Sequence, residues 1–242
     1  AERVSSTKLD DWQAEFMLWE GSDALLNCTR QGGKTQIVSL RSAFRAGYHD
    51  RSVGCLGPTS RQTSRMFRRA RRWLLNGGFT LVRNVGLELE LEHGGQIQAF
   101  PGDRPDVSIR GDTLDDVIVD EASVIKDELI AAATPTMATR EDRCIVYLST
   151  PKGQRGAFYK AWIDEDWWKK FTITADQCPR ISQKFLAKEK KRLGPLYEQE
   201  YFCKFLATPG AMFTAEDIAA LFRSEPVDGF TMPVPLEPEA IW

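Results

Sequence analysis

Cys28-Thr29-Arg30-Gln31-Gly32-Gly33-Lys34-Thr35 is the stretch on which the reading of this chain turns. Ala24-Leu25-Leu26-Asn27 ahead of it is apolar enough for a buried strand. Gln36 to Phe44 behind it carries apolar residues at helical spacing. A strand that enters a glycine turn and opens a helix aims backbone N–H groups into the turn, and the helix dipole adds positive potential. Phosphate is the natural guest of such a loop, with Lys34 on the β- and γ-phosphates and Thr35 on Mg²⁺. Cys28 stands where the general pattern has glycine. The loop alone therefore leaves two readings open, a phosphate cradle and a surface turn, and residues downstream have to separate them.

Composition narrows the classes. The chain of 242 residues is long enough for one large α/β domain, alone or with a small appendage. At 42% hydrophobic and 27% charged it is ordinary for a globular protein. It has no run of about 18 apolar residues that would span a membrane, and its start lacks the pattern of a secretory signal. Five cysteines, odd in number and never in Cys-x-x-Cys spacing, read as reduced thiols, with Cys28, Cys55 and Cys144 in strand-like runs that bury them. Two histidines exclude a histidine-rich metal site, and a net charge of −2 means that any nucleic-acid contact must come from local patches.

Asp116-Val117-Ile118-Val119-Asp120-Glu121 is the second signal. A buried strand that delivers two acids at its carboxyl end places them at the mouth of an α/β sheet, where ligands bind. Asp120 is then the Mg²⁺ acid and Glu121 orients the attacking water, while Asp115 and Asp116 fall at the other end of the strand. Cys144 to Gly153 repeats the form, with Ser149 and Thr150 after an apolar strand; these hydroxyls read either as sensors beside the acids or as an ordinary turn.

Several flanking elements follow. Leu9 to Trp19 reads as a short amphipathic helix capped by Asp10 or Asp11, with Gln13 on its flank as an adenine partner or an exposed glutamine. Ser52–Pro58 reads as a strand and turn. Ser60 to Leu75 reads as a helix with Arg61, Arg65, Arg68, Arg69 and Arg72 on one side and Met66, Phe67, Ala70, Trp73 and Leu74 on the other. A face of one sign, nearly all arginine, favours phosphates or an acidic neighbour. Residues 79–82, 87–91 and 96–100 read as short strands, the middle one at a sheet edge or with one solvated face. Pro101 to Asp106 reads as a loop flanked by Arg104 and Arg110, two further candidates for a polyanion. Asp127–Met137 and Gly156–Ile163 read as helices around the polar turn Thr139–Arg143, and Trp168–Thr174 as a strand. Ser182–Arg192 and Pro195–Phe205 read as helices broken at Gly194-Pro195. Prolines from Pro209 onward suggest a linker, and the chain reads as a piece of a longer protein.

Taken together, Trp12-Gln13-Ala14-Glu15-Phe16, Arg30-Gln31-Gly32-Gly33-Lys34-Thr35, Val117-Ile118-Val119-Asp120-Glu121-Ala122 and Leu148-Ser149-Thr150-Pro151 resemble the ATPase domain of the large terminase subunit of tailed bacteriophages, over roughly residues 9–208. The arginine inside the loop and the missing first glycine are features of that family, and Glu200-Tyr201 resembles its lid.

The resemblance implies an additional-strand P-loop ATPase, a mostly parallel sheet between helices, with a core over 1–175, a lid over 176–208 and a linker over 209–242 toward a nuclease domain absent from the chain. It implies ATP and Mg²⁺ as ligands. Gln13 would read adenine, and Arg30, Gln31, Gly32, Gly33, Lys34 and Thr35 would line the phosphate loop. Thr35 and Asp120 would hold the metal, Glu121 would be the catalytic acid, and Ser149 and Thr150 the coupling pair. Arg140 would be the finger acting across a subunit boundary, with Arg143 second. It further implies double-stranded DNA as the translocated partner and a ring, commonly of five, on the capsid portal. A small terminase subunit would be another partner, the place of action would be the host cytoplasm at the procapsid, and no membrane or nuclease activity is expected. Two rivals stand beside it: a helicase or other DNA-stimulated ATPase, and a nucleotide-gated DNA-binding scaffold with a degenerate site.

Overall fold

The computed structural model describes residues 8–207 apart from 22, 105–108 and 165. The strand-turn-helix units expected from the sequence are present and share one sheet. In chain order the elements are α1 (Asp11–Leu18), β1 (Asp23–Cys28), α2 (Lys34–His49), β2 (Ser52–Gly57), α3 (Ser60–Asn76), β3 (Leu81–Val85), β4 (Glu88–Leu91) and β5 (Gln96–Pro101). There follow β6 (Asp116–Asp120), α4 (Asp127–Ala133), β7 (Cys144–Ser149), α5 (Gly156–Ile163), β8 (Lys169–Ile173), α6 (Gln183–Leu193) and α7 (Leu196–Phe202). The expected proline-rich segment after Pro209, and part of the 101–106 loop, lie outside the described residues.

The eight-stranded sheet has the order β3-β4-β5-β2-β6-β7-β1-β8. From β5 to β8 neighbours run parallel, while β3 and β4 add an antiparallel hairpin at one edge. The strand that carries Asp120 is therefore not next to the strand that feeds the loop. β7 lies between them, with Asn27 level with Ser149 and Asp120 level with Leu148. This is the additional-strand arrangement expected from the resemblance.

Alternation along the parallel strands sends side chains to two cores. Ala24, Leu26, Cys28, Ile118, Val146 and Leu148 meet α1, α2, α3, α6 and α7 through Phe16, Ile37, Met66, Leu186 and Tyr201. Leu25, Val117, Val119, Ile145 and Tyr147 face α4 and α5 through Ile130 and Phe158. Burying a side chain such as Phe16 contributes roughly 1.5–3 kcal/mol, so both layers are anchored by many such residues. Among the described residues no helix is long and apolar enough to cross a membrane.

Several boundaries differ from the sequence reading: the helix expected over 127–137 is α-helical only to Ala133 and continues as a 3-10 turn over Thr134–Met137, and the one expected over 9–19 is helical over Asp11–Leu18. The strand expected at 79–82 runs from Leu81 to Val85 instead, because Phe79 is drawn out of it: its ring packs edge-on against Tyr48 and His93. The helix expected to reach Phe205 stops at Phe202. Cys203 takes a left-handed conformation (φ 60°), and Phe205 packs on Phe158, Tyr159 and Trp162 of α5.

Candidate functional site

β1 ends at Cys28 and α2 begins at Lys34, so Thr29 to Gly33 form the turn between them. Gly33 has φ 93°, a left-handed backbone that favours glycine, and a Cβ there would also lie 2.8 Å from Gln13 Nε2 and 3.2 Å from Arg180 Nη2, so that both side chains would have to shift. Cys28 needs no such freedom. It is the last residue of an ordinary strand, its thiol buried and pushed well above the usual range by that burial. Only its carbonyl faces the turn, which is why the missing first glycine is tolerated. The N–H groups of Lys34 and Thr35, the first two of α2, have no carbonyl partner within the helix and are available to an anion, while those of Gln36 and Ile37 donate to Gly33 O at 3.1 Å. Lys34, 7% exposed, folds back into the turn, donating from Nζ to Thr29 O at 3.1 Å, Cys28 O at 3.4 Å and Thr150 Oγ1 at 2.9 Å.

Asp120 closes the other side. Its Oδ2 accepts a hydrogen bond from Thr35 Oγ1 at 3.2 Å, and its Oδ1 is buried without a hydrogen-bond partner. Burial and the neighbouring Glu121 push its pKa up to about 6, against the opposing pull of Lys34 and Thr35. An orphaned carboxylate oxygen beside a threonine hydroxyl is a hard-oxygen donor set, and a divalent cation such as Mg²⁺ fits it. Glu121, past the end of β6, sits at φ 56° in the left-handed region. That turn carries its carboxylate toward β7, where Oε2 accepts from Ser149 Oγ at 3.3 Å. Ser149 Oγ is itself held, 2.7 Å from Ser123 Oγ and accepting from Ser123 N at 3.3 Å. The two hydroxyls of β7 and its end thus touch the two principal charges, Ser149 the Glu121 carboxylate and Thr150 the Lys34 ammonium.

These groups border a cleft of about 830 Å³, a size suited to a nucleotide. Gln31 to Gln36 form one wall, Asp120 and Glu121 the floor, and Arg180, Ile181, Ser182 and Phe185 a second wall. The third wall is Gln62, Arg65 and Arg69 of α3.

Other expected residues fall around the cleft or away from it. Gln13 is only 2% exposed; its Oε1 accepts from the Asp10 N–H at 3.1 Å, and its Nε2 lies near Gly33, 2.8 Å from where a Cβ would stand. Arg30 is turned to Glu200, in an ion pair reinforced by Arg30 N donating to Glu200 O at 3.1 Å. Arg61, Arg68 and Arg72 are exposed on α3, away from the cleft. Arg104 and Arg110 are exposed, and Arg110 borders a separate hollow with Asp112 and Glu128. Arg140 pairs with Asp115 at 3.0 Å and Arg143 with Asp23 at 3.4 Å, both at the amino ends of the strands. That is the edge of the sheet opposite the cleft. Asp116, excluded from the site on sequence, is at that edge too, bonded to Arg45 at 2.7 Å and Arg51 at 2.9 Å.

Sequence reading missed Arg180 and Asp10. Arg180 grips both Asp10 oxygens at 2.7 and 2.6 Å and donates to Gly32 O at 3.1 Å, tying α1 and the segment after β8 to the turn. A pairing of residues 170 positions apart leaves no local pattern to read.

The family model described as "Terminase large subunit, T4likevirus-type, N-terminal" matches residues 25–220. Comparison with curated proteins finds no match. Among solved structures, the large terminase ATPase domain of Thermus phage P74-26 is 21% identical with a TM-score of 0.74, covering 85% of this chain and 97% of that one. The large terminase from a second thermophilic bacteriophage is 17% identical with a TM-score of 0.68, over 83% of this chain and 54% of that one. That protein has also been solved in complex with ADP and with ATP-gamma-S. The HK97 bacteriophage large terminase is 15% identical with a TM-score of 0.67, over 84% and 54%. The chain thus spans about half the length of these last two proteins, and the likeness carries the fold. The family match, extending over most of the sequence, carries the assignment: the chain belongs to the terminase large subunit family, in its T4-like N-terminal part.

Proposed function

We propose that this chain is an ATP-hydrolysing motor domain that, with Mg²⁺, drives double-stranded DNA into a procapsid. One observation carries the reading. Thr35 Oγ1 and Asp120 Oδ2 meet at 3.2 Å across the mouth of the turn, with the unpartnered Asp120 Oδ1 beside them. A hydroxyl from the start of α2 and an acid from a separate strand converge there, as the two holders of a cation would. That the large terminase of a thermophilic bacteriophage has been solved with ADP and with ATP-gamma-S supports a nucleotide as the ligand.

In this reading the turn amides and Lys34 hold the phosphates, Lys34 exchanging its acceptors on the turn for phosphate oxygens. When bound, Mg²⁺ supplies Lewis-acid stabilisation of the phosphate charge, with Thr35 and Asp120 as its holders. Glu121, fixed through Ser149, orients the attacking water. Ser149 and Thr150, in contact with Glu121 and Lys34, pass a change at the phosphates from the loop strand to the acid strand. Gln13 supports the turn and marks the adenine end, and Arg30 is the loop arginine, released from Glu200 when it acts. Arg140 serves the cleft of a neighbouring copy, in a ring of five on the portal in the host cytoplasm, with a small terminase subunit as a further partner.

DNA is assigned to the outward flank of α3, Arg61, Arg68 and Arg72, and to the Arg104–Arg110 region, where contacts to phosphates give affinity without sequence preference. The direct test is phosphate release with and without duplex DNA, for the parent and for Glu121→Gln. Turnover in the parent, with Glu121→Gln binding ATP and failing to hydrolyse it, is the expected result. Full turnover in Glu121→Gln would remove this assignment, and strand separation would favour a helicase.

A further inference from the structure

The arginine side of α3 is divided between two surfaces. At about 100° per residue, Gln62, Arg65 and Arg69 fall on one flank of the helix, and Arg61, Arg68 and Arg72 on the other. The first flank borders the cleft, where Arg65 and Arg69 look onto the same space as Lys34, Thr35, Asp120 and Glu121. We infer that Arg65 and Arg69 are cis contacts to the terminal phosphate of a bound nucleoside triphosphate, and that they set its preference over the diphosphate. This rests on the nucleotide reading of the cleft.

Sheet order gives the direction. The wall made by Arg180, Ile181, Ser182 and Phe185 follows β8, the turn follows β1, the acids follow β6 and α3 follows β2. Across the carboxyl edge of the sheet these stand in the order β8, β1, β6, β2, with β7 between β1 and β6. The apolar Ile181 and Phe185 at one end suit a base, and the turn holds the middle of the phosphate chain. The cation pair Thr35–Asp120 comes next, so α3 meets whatever extends beyond it. In a bound nucleoside triphosphate that is the third phosphate.

The contact is made by side chains and not by the end of the helix. Two of the first amides of α3 are already taken: Ser60 N donates to Asp103 Oδ1 at 2.7 Å and Gln62 N to Thr59 Oγ1 at 3.3 Å. These two bonds fix the start of the helix and hence the position of Arg65 and Arg69 above the acids. Two guanidinium groups also offset the Asp120 and Glu121 carboxylates, which would otherwise repel the outermost phosphate.

The test is calorimetric titration of the chain with ATP-gamma-S and with ADP, each with Mg²⁺, for the parent, Arg65→Ala/Arg69→Ala and Arg65→Lys/Arg69→Lys. The alanine pair should bind ATP-gamma-S about tenfold or more weakly, the loss of at least one charge-assisted contact, and ADP within about twofold of the parent. Retained ADP binding also reports that the variant is folded. The lysine pair should recover part of the loss. ATP-gamma-S affinity unchanged in the alanine pair would overturn the inference and leave the nucleotide reading standing, as would an equal loss of ADP. A parent that binds neither nucleotide would instead remove the nucleotide reading, and this inference with it.

Discussion

Thr150 Oγ1 stands 2.9 Å from Lys34 Nζ and donates to Cys28 O at the same distance, so one hydroxyl ties the end of β7 to both edges of the turn. Without a phosphate, this is one of the acceptors that keep a nearly buried ammonium satisfied.

Thr150→Val should therefore destabilise the nucleotide-free protein by about 1–2 kcal/mol, or about 3–6 °C in Tm for a domain of this size. Saturating MgATP, by giving Lys34 other acceptors, should narrow the difference. Thermal denaturation with and without nucleotide checks both points, and an unchanged Tm without nucleotide would show that the contact carries no weight.

Asp120 predicts a pH dependence. Its folded pKa is raised from 3.8 to about 6, so the folded state binds its proton more readily than the unfolded chain does. The carboxyl therefore favours folding most below pH 3.8, and that contribution is lost as pH rises through about 6, where a buried charge must be kept. Asp120→Asn removes the charge at nearly constant shape. In chelator it should raise Tm at pH 8, with a gain that shrinks between pH 6 and pH 4, and it should abolish stabilisation by MgATP. A variant no more stable than the parent at pH 8 would mean that Asp120 is not held under this penalty.

Asp116 is the contrasting acid. Its side chain is 3% exposed and is shared by Arg45 and Arg51 at the edge of the sheet away from the cleft. Asp116→Ala leaves both arginines half-buried without their anion and should cost about 3–5 kcal/mol. Nucleotide affinity measured below the new Tm should stay within about twofold of the parent. A loss of binding larger than the loss of stability would place Asp116 in a functional role.

Arg140 is tested by mixing. Adding Arg140→Ala subunits to parent subunits should depress turnover more than in proportion to their fraction, because each altered copy disables a neighbour's cleft. A strictly additive response would exclude action across a boundary, and Arg143→Ala is the parallel experiment.

The features legible in the sequence were those whose parts are contiguous. The turn at 28–35, the Asp120-Glu121 pair, the Ser149-Thr150 pair and the one-sided arginine helix each lie within a few residues, so spacing alone fixes their geometry. What spacing cannot carry is the pairing of distant residues. Nothing near Arg180 points to Asp10, nor anything near Arg30 to Glu200. That Arg65 and Arg69 border the cleft while Arg61, Arg68 and Arg72 do not depends on where β2 lies in the sheet, which the helix pattern does not encode. Element ends were displaced where a single aromatic found a better partner, as with Phe79 against Tyr48 and Phe205 against α5.

The cleft opens at the carboxyl edge of the strands, whereas Arg140 is moored to Asp115 at the amino edge, a strand's length of about 15 Å away. An arginine so placed reaches a second copy's cleft only if unlike edges meet. A twofold dimer meets that condition only if it sets the amino edge of each copy against the carboxyl edge of the other, and it would then complete both clefts at once. Head-to-tail contact instead lets each copy complete the next one's cleft; where its rotation closes the result is a ring, and the angle between the two edges sets how many copies complete the circle.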